Sequence, residues 1–121
     1  MITLKQAKLF AREWVDAWNA RNLDAVLAHF AEDIELSSPF IAQMLGIASG
    51  TLTGKEEIRD YWEFALESVS DVHFEIIDVL VSVESVIIYY KGVLGMKGAE
   101  IFYFDGHGKV YRSVAHYDHT S

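Results

Sequence analysis

The sequence predicts an α+β fold: three N-terminal helices packed on one face of a curved, mainly antiparallel β-sheet that the C-terminal half supplies. Three observations carry this. Apolar residues recur at three- and four-residue spacing as far as Val69. From Val72 onward the period becomes two, and β-branched and aromatic residues dominate. The breaks between these later segments, at Ser82–Ser85, Gly95-Met96 and Asp105–Gly108, are short enough for hairpins.

Each element has a local reason. Thr3 followed by Gln6 is a capping-box pattern, which starts the first helix at Leu4. Its apolar stripe is Ala7, Phe10, Ala11, Trp14 and Trp18. Asn22 can cap a second helix whose inward face is Leu23, Val26, Leu27 and Phe30. Two helices tipped with large aromatics and leading into a strand describe a cone whose wide end is lined by rings. The helical period is lost around Pro39, and Ile34–Ser37 alternates as a short strand. Phe40–Thr53 holds Gly46, Gly50 and the exposed-looking Ile41, Met44, Leu45 and Ile47; it is long for a connection and reads as a lid or binding loop. Thr53 and Glu56 form a second capping box opening helix three, with a stripe of Ile58, Tyr61, Trp62, Ala65, Leu66 and Val69. Val72–Ser82, Val86–Leu94, Gly98–Asp105 and Lys109–Asp118 then read as four strands.

Composition narrows the function. With 121 residues the chain fits one domain, residues 1–121, and it shows no repeat or linker. It has no cysteine, which removes disulfides, thiol nucleophiles and thiolate metal sites. A net charge of −8 without a basic cluster argues against nucleic acid as a partner. No apolar run approaches the roughly 18 residues of a membrane span, and Met1–Lys5 lacks a basic-then-apolar leader pattern, so a cytoplasmic location away from membranes is expected.

Trp18–Asp24, His29–Asp33, Pro39, Gly54–Trp62 and the Phe104–Val110 hairpin, in that order and spacing, resemble the nuclear transport factor 2-like superfamily, in particular its SnoaL-like and ketosteroid-isomerase-like branches. The resemblance runs over nearly the whole chain and implies a conical, cystatin-like roll. It does not imply one activity, because the superfamily hosts isomerases, cyclases, hydrolases, dehydratases and non-catalytic association domains. Carried over by position, the isomerase base falls on Ser38, its oxyanion tyrosine on Trp14 and a supporting tyrosine on Trp62. Only the protonated aspartate of the oxyanion hole has an acidic counterpart, Glu100. The aspartate that other branches place in mid last strand falls on Ala115. A serine without an adjacent base cannot shuttle a proton at neutral pH, so isomerisation by the family's usual mechanism is not expected.

Strand alternation leaves two parities open for the last strand. In the one that fits the family, Ser113, Ala115 and Tyr117 face the cone; in the other, Arg112, His116 and Asp118 do, and His116–Asp118 becomes an acid/base candidate. The first parity directs Glu100, Phe102 and Phe104 inward, together with Tyr89, Lys91 and Val93. If Gly95-Met96 is a two-residue turn, Lys91 stands across from Glu100 and keeps it ionised; alone in a dry pocket, Glu100 would be neutral and able to donate. His116, Asp118 and His119 do not complete a metal site, since no third ligand has recognisable spacing. His29 suits a helix end, His107 an exposed glycine turn, and Asp33 a corner.

The expected site therefore has Glu100 and Tyr117 as catalytic groups. Trp14, Trp18, Phe30, Ser38, Tyr61, Trp62, Tyr89, Lys91, Phe102 and Ser113 contact the ligand. No metal or cofactor is expected. The expected partners are a small hydrophobic, cyclic ligand and a second copy of the chain, the latter docked on an outward face containing Ile101, Tyr103 and Val114. Two functions remain in play: a cofactor-free acid/base enzyme of the isomerase, cyclase or hydrolase type, or a non-catalytic ligand-binding or protein-association domain.

Overall fold

The computed structural model describes residues 1–69 and 72–119. Helices α1 (Leu4–Asn19) and α2 (Leu23–Leu27) lead into strand β1 (Phe30–Ser37). Helix α3 (Pro39–Leu45), strand β2 (Thr51–Thr53) and helix α4 (Lys55–Ser68) follow, and then strands β3 (Glu75–Val81), β4 (Ser85–Lys91), β5 (Lys97–Phe104) and β6 (Val110–Tyr117). The six strands form one sheet in the order β2-β1-β6-β5-β4-β3. All neighbours are antiparallel except β1 and β6, where Leu36 lies beside Ser113 in a parallel pair. The helices lie on the concave face of this curved, open sheet.

The first helix starts as its capping box requires: Thr3 Oγ1 accepts from the Gln6 N–H, and Gln6 Oε1 accepts from the Thr3 N–H. Its stripe of Ala7, Phe10, Ala11, Trp14 and Trp18 is buried against the sheet. Asn22 caps α2 through the Ala25 N–H. Phe30 is not helical; it opens β1, because α2 ends after a single buried turn of Leu23, Val26 and Leu27.

The long connection holds a fourth helix rather than a free loop. Ser38 caps α3, Pro39 occupies its first turn, and Gly46 closes it in the left-handed conformation (φ 69°), so start and stop signals bracket Ile41, which is fully buried. The second capping box does not form. Gly54 is the N-cap of α4 without a side-chain bond, and the Thr53 N–H instead donates to the Glu57 carboxylate at 3.3 Å.

The β4–β5 hairpin departs most from expectation. Its connection is Gly92–Met96, with one 3₁₀ turn at Val93–Gly95, in place of a two-residue turn at Gly95-Met96. Ile88 consequently faces Glu100, and Lys91 faces Lys97. The register differs from the expected one by an odd number of residues, which exchanges the faces of β4. Val86, Ile88 and Tyr90 point into the core, while Tyr89 and Lys91 point out. The last strand takes the family-like parity, with Ser113 and Ala115 buried and Arg112 and His116 exposed. Among the described residues, no helix is long and apolar enough to cross a membrane.

One side chain ties the wall of rings together. Asn19, at the end of α1, donates from Nδ2 to the Phe74 carbonyl (3.0 Å) and accepts the Phe74 N–H on Oδ1 (2.7 Å), as a neighbouring strand would. Phe74 in turn stacks on Trp14 at 5.3 Å and lies 5.0 Å from Tyr90. Asn19→Ala strips both partly buried backbone groups of their partners and is expected to cost about 2–3 kcal/mol. Asn19→Asp, which keeps the acceptor alone, should lose less. Urea unfolding that shows a lowered midpoint at unchanged slope checks both values.

Candidate functional site

Between α1, α3, α4 and the concave sheet face lies a cavity of about 270 Å³. Trp14 and Trp18 line it from α1, Tyr61 and Trp62 from α4, Ser38 from the start of α3, Glu100 from β5 and Tyr117 from β6. The structure thus brings together seven of the sequence-derived candidates. Phe30 and Phe102 belong to the solid core beneath, with 1% and 0% exposure. Ser113 is fully buried behind Glu100 and does not line the cavity. Tyr89 and Lys91 lie on the opposite sheet face, and the Lys91–Glu100 pair does not exist.

Sequence reasoning missed Phe40 and Met44 on α3, Phe74 and Tyr90 on the sheet side, and Leu94 and Met96 in the hairpin connection. The helix signals at Ser38, Pro39 and Gly46 could have placed the first two. Tyr90 was one residue from the expected inward position, and only the hairpin register separates it from Tyr89.

The rim and walls are almost wholly apolar, and the polar groups gather at one end. Along one row of the sheet, Ile88, Glu100 and Ala115 are neighbours; along the next, Tyr90, Gly98 and Tyr117 are. Gly98 has a specific task in this row. A Cβ there would stand 3.0 Å from Tyr90 Cζ and 3.1 Å from its hydroxyl oxygen. Because position 98 has no side chain, the Tyr90 phenol lies across β5, close to the phenol of Tyr117. The Ser38 hydroxyl lies near the phenols of both Tyr117 and Tyr61. Four hydroxyls, from the N-cap of α3 and from α4, β4 and β6, therefore gather at this end of the cavity. Burial pushes the Tyr61 phenol up to about 12 and raises Tyr90 and Tyr117 as well, so all three stay protonated at neutral pH.

Glu100 is 6% exposed, and its Oε2 accepts a 2.8 Å hydrogen bond from Ser113 Oγ. No lysine, arginine or histidine lines the cavity among the described residues. Burial raises the Glu100 carboxyl to about 7, against the opposing effect of the Ser113 hydrogen bond. It is the one group in the cavity, among the described residues, placed to change charge near neutral pH.

The indole N–H groups of Trp14 and Trp18 have no hydrogen-bond partner. They are covered by neighbouring rings in edge contacts such as Trp18–Trp62 at 4.9 Å and Trp14–Phe102 at 5.5 Å. The remaining polar candidates lie elsewhere. His116 and Asp118 are exposed, and Asp118 Oδ1 meets His119 Nδ1 at 2.8 Å. Among the described residues, no group of three or more histidine or acidic side chains could hold a metal ion. His29 lies outside the cavity, edge-on to Phe10 at 5.1 Å, where burial lowers its pKa. His107 is exposed in its turn and Asp33 is exposed on β1.

The family model described as the SnoaL-like domain matches residues 11–119. A SnoaL-like protein of unknown function from Burkholderia thailandensis shares 47% identity, with a TM-score of 0.94 and 98% of each chain covered. At 20% identity, a protein of unknown function with a cystatin-like fold from Methylobium petroleophilum superposes with a TM-score of 0.78 over 99% of this chain and 80% of that one. At 22% identity, a Kribbella flavida protein provisionally named a ketosteroid isomerase gives a TM-score of 0.72 over 97% and 81%. The last two likenesses show the shared fold alone. A comparison with curated proteins finds no match.

The raised Glu100 carboxyl has a stability signature. An acid whose folded pKa (about 7) lies above its ordinary value of 4.5 binds its proton more tightly in the folded state. Its contribution is complete below 4.5 and is lost as pH rises through 7. The loss amounts to about 3 kcal/mol between those limits. Glu100→Gln should therefore be more stable than the parent at pH 8 and lose this advantage towards pH 4.5. Parallel denaturant titrations of the two proteins across that range measure the difference.

Proposed function

The chain belongs to the SnoaL-like domain family, and from that premise we propose that its cavity binds a small hydrophobic, cyclic molecule with its polar end at Glu100 and Tyr117. Cofactor-free acid/base chemistry of the isomerase, cyclase or hydrolase type is the activity this site suits. The observation that carries the reading is Glu100, a buried carboxyl without a cation beside it, at the polar end of an otherwise ring-lined space. A carboxyl near pKa 7 can both give and take a proton at neutral pH. Tyr117, Tyr90 and Ser38 supply hydroxyl donors for charge that develops on a ligand oxygen. Trp14, Trp18, Tyr61 and Trp62 supply flat apolar walls that suit rings.

A second reading, binding without turnover, draws on Ser38 and Ala115. The positions at which relatives of this fold carry carboxylates hold a hydroxyl and a methyl group here, leaving Glu100 as the single candidate acid. The proposal also includes a homodimer. Leu80, Ile87, Ile101 and Val114 form one apolar row across the outward face of four strands, next to Tyr103, and such a row suits a second copy.

Native mass spectrometry of freshly purified protein, followed by denaturing extraction, should yield a cyclic compound of fitting size. Glu100→Gln should reduce turnover of that compound at least ~100-fold if Glu100 is the acid/base group. Turnover that survives the substitution excludes this role for Glu100, and bound material returned unchanged by the parent protein favours the second reading.

A further inference from the structure

Resting on the reading that this cavity holds a cyclic ligand, we propose that the ligand's polar end carries a cation: an ammonium on an apolar ring body, its charge placed at Glu100 in the aromatic-lined cavity. A glutamate at this position offers something that the neighbouring hydroxyls do not. A ligand carbonyl or hydroxyl needs a donor, and Tyr117, Tyr90, Tyr61 and Ser38 already line the cavity as donors. An amide or hydroxyl at position 100 would add another donor without the loss of stability that a buried carboxyl brings as it ionises. What the carboxyl adds is a negative charge.

The surroundings fit a positive partner. The rings of Trp14, Trp18, Trp62, Phe74 and Tyr90 all line the same space, and an ammonium is attracted to ring faces, most strongly to indole. Among the described residues, an anionic ligand meets no counter-charge there. Lys97 and Arg112 are exposed, and Lys91 is exposed on the outward side of β4. The chain's net charge of −8 also favours the approach of cations over anions.

The groups facing Glu100 are Tyr90 from β4, Ser113 and Tyr117 from β6, and Tyr61 from α4. Helix α1 presents Trp14 and Trp18 to the cavity, and α3 presents Ser38, Phe40 and Met44. The phenols among these are raised, so the carboxyl alone titrates near neutrality. Binding an ammonium favours the carboxylate and expels its proton, so affinity must rise as pH rises through 7 and fall only when the amine itself loses its charge. A neutral acceptor, which takes a hydrogen bond from the protonated carboxyl, gives the opposite slope.

Three probes of one shape separate these cases: 2-naphthylmethylamine, 2-naphthylmethanol and 2-naphthoate. Each is titrated calorimetrically into the intact protein between pH 6 and pH 8, with the indole N–H resonances of Trp14, Trp18 and Trp62 locating the bound ring. The amine should bind at least ~10-fold tighter than the alcohol at pH 8, with the carboxylate weakest. Its affinity should rise about tenfold from pH 6 to pH 8, the dependence of one carboxyl titrating near 7. Glu100→Gln should abolish the preference for the amine while the alcohol still binds, and the pH series on the parent protein stands independently of whether that variant folds. An alcohol that binds as tightly as the amine, or an amine whose affinity falls as pH rises towards 8, overturns the proposal. If the alcohol binds and shifts the indole resonances, the cavity reading survives that failure. If no probe binds, both readings fall.

Discussion

Ile88 lies across from Glu100, and Lys91 across from Lys97, because five residues rather than two connect β4 to β5. Most of what the cavity can do depends on that register. It turns Tyr90 inward and Lys91 outward, which removes the one cation that could have faced Glu100. A carboxyl left without a positive partner, held by a serine hydroxyl and walled by rings, shifts towards its neutral form. With Lys91 opposite, the same residue would be an ordinary ionised member of a cross-strand pair. The chemistry of the site is thus decided by the length of a turn that also supplies part of the cavity wall.

The shape of the fold was legible because it rests on long, redundant patterns. The stripes at Phe10, Trp14 and Trp18 and at Ile58, Tyr61 and Trp62 hold over several turns, so no single ambiguous residue upsets them. The parity of β6 was legible through resemblance, and Ser113 and Ala115 are buried as it requires. Short elements were harder to read. Helix α3 buries only Ile41, too little for a periodic signal, although Ser38, Pro39 and Gly46 marked its ends. The register of β4 was not legible at all. Alternation in Val-Ile-Ile-Tyr-Tyr is equally apolar in both phases, so hydrophobicity could not choose between Tyr89 and Tyr90. What chooses is a backbone fact: Gly95 and Leu94 both adopt positive φ, Leu94 at 55°, and build a turn that the Gly95-Met96 pair alone did not suggest.

The polar end of the cavity runs against the economy of folding. Glu100, Ser38 and Ser113 are the polar or charged side chains buried among the described residues, and all three belong to or support the same cluster. Sequences tend to break local rules of core composition where function demands it. The cluster is also drawn from separate parts of the chain, with Ser38 beginning α3, Tyr61 in α4, Tyr90 in β4, Glu100 in β5 and Tyr117 closing β6. Its assembly therefore depends on the whole fold, which is why no short motif announces it.

The clasp between Asn19 and Phe74 bears on which molecules gain entry. Because that amide locks the end of α1 to the chain just ahead of β3, Trp14, Trp18 and Phe74 form a single stiff panel. A bulky guest cannot widen the chamber by parting these rings without straining the two hydrogen bonds between the Asn19 amide and the Phe74 backbone. Met44, Leu66 and Leu94 line another part of the boundary, where Leu94 is 77% exposed. Discrimination by girth then falls to this threshold and discrimination by charge to the interior, two filters that can drift separately as sequences diverge.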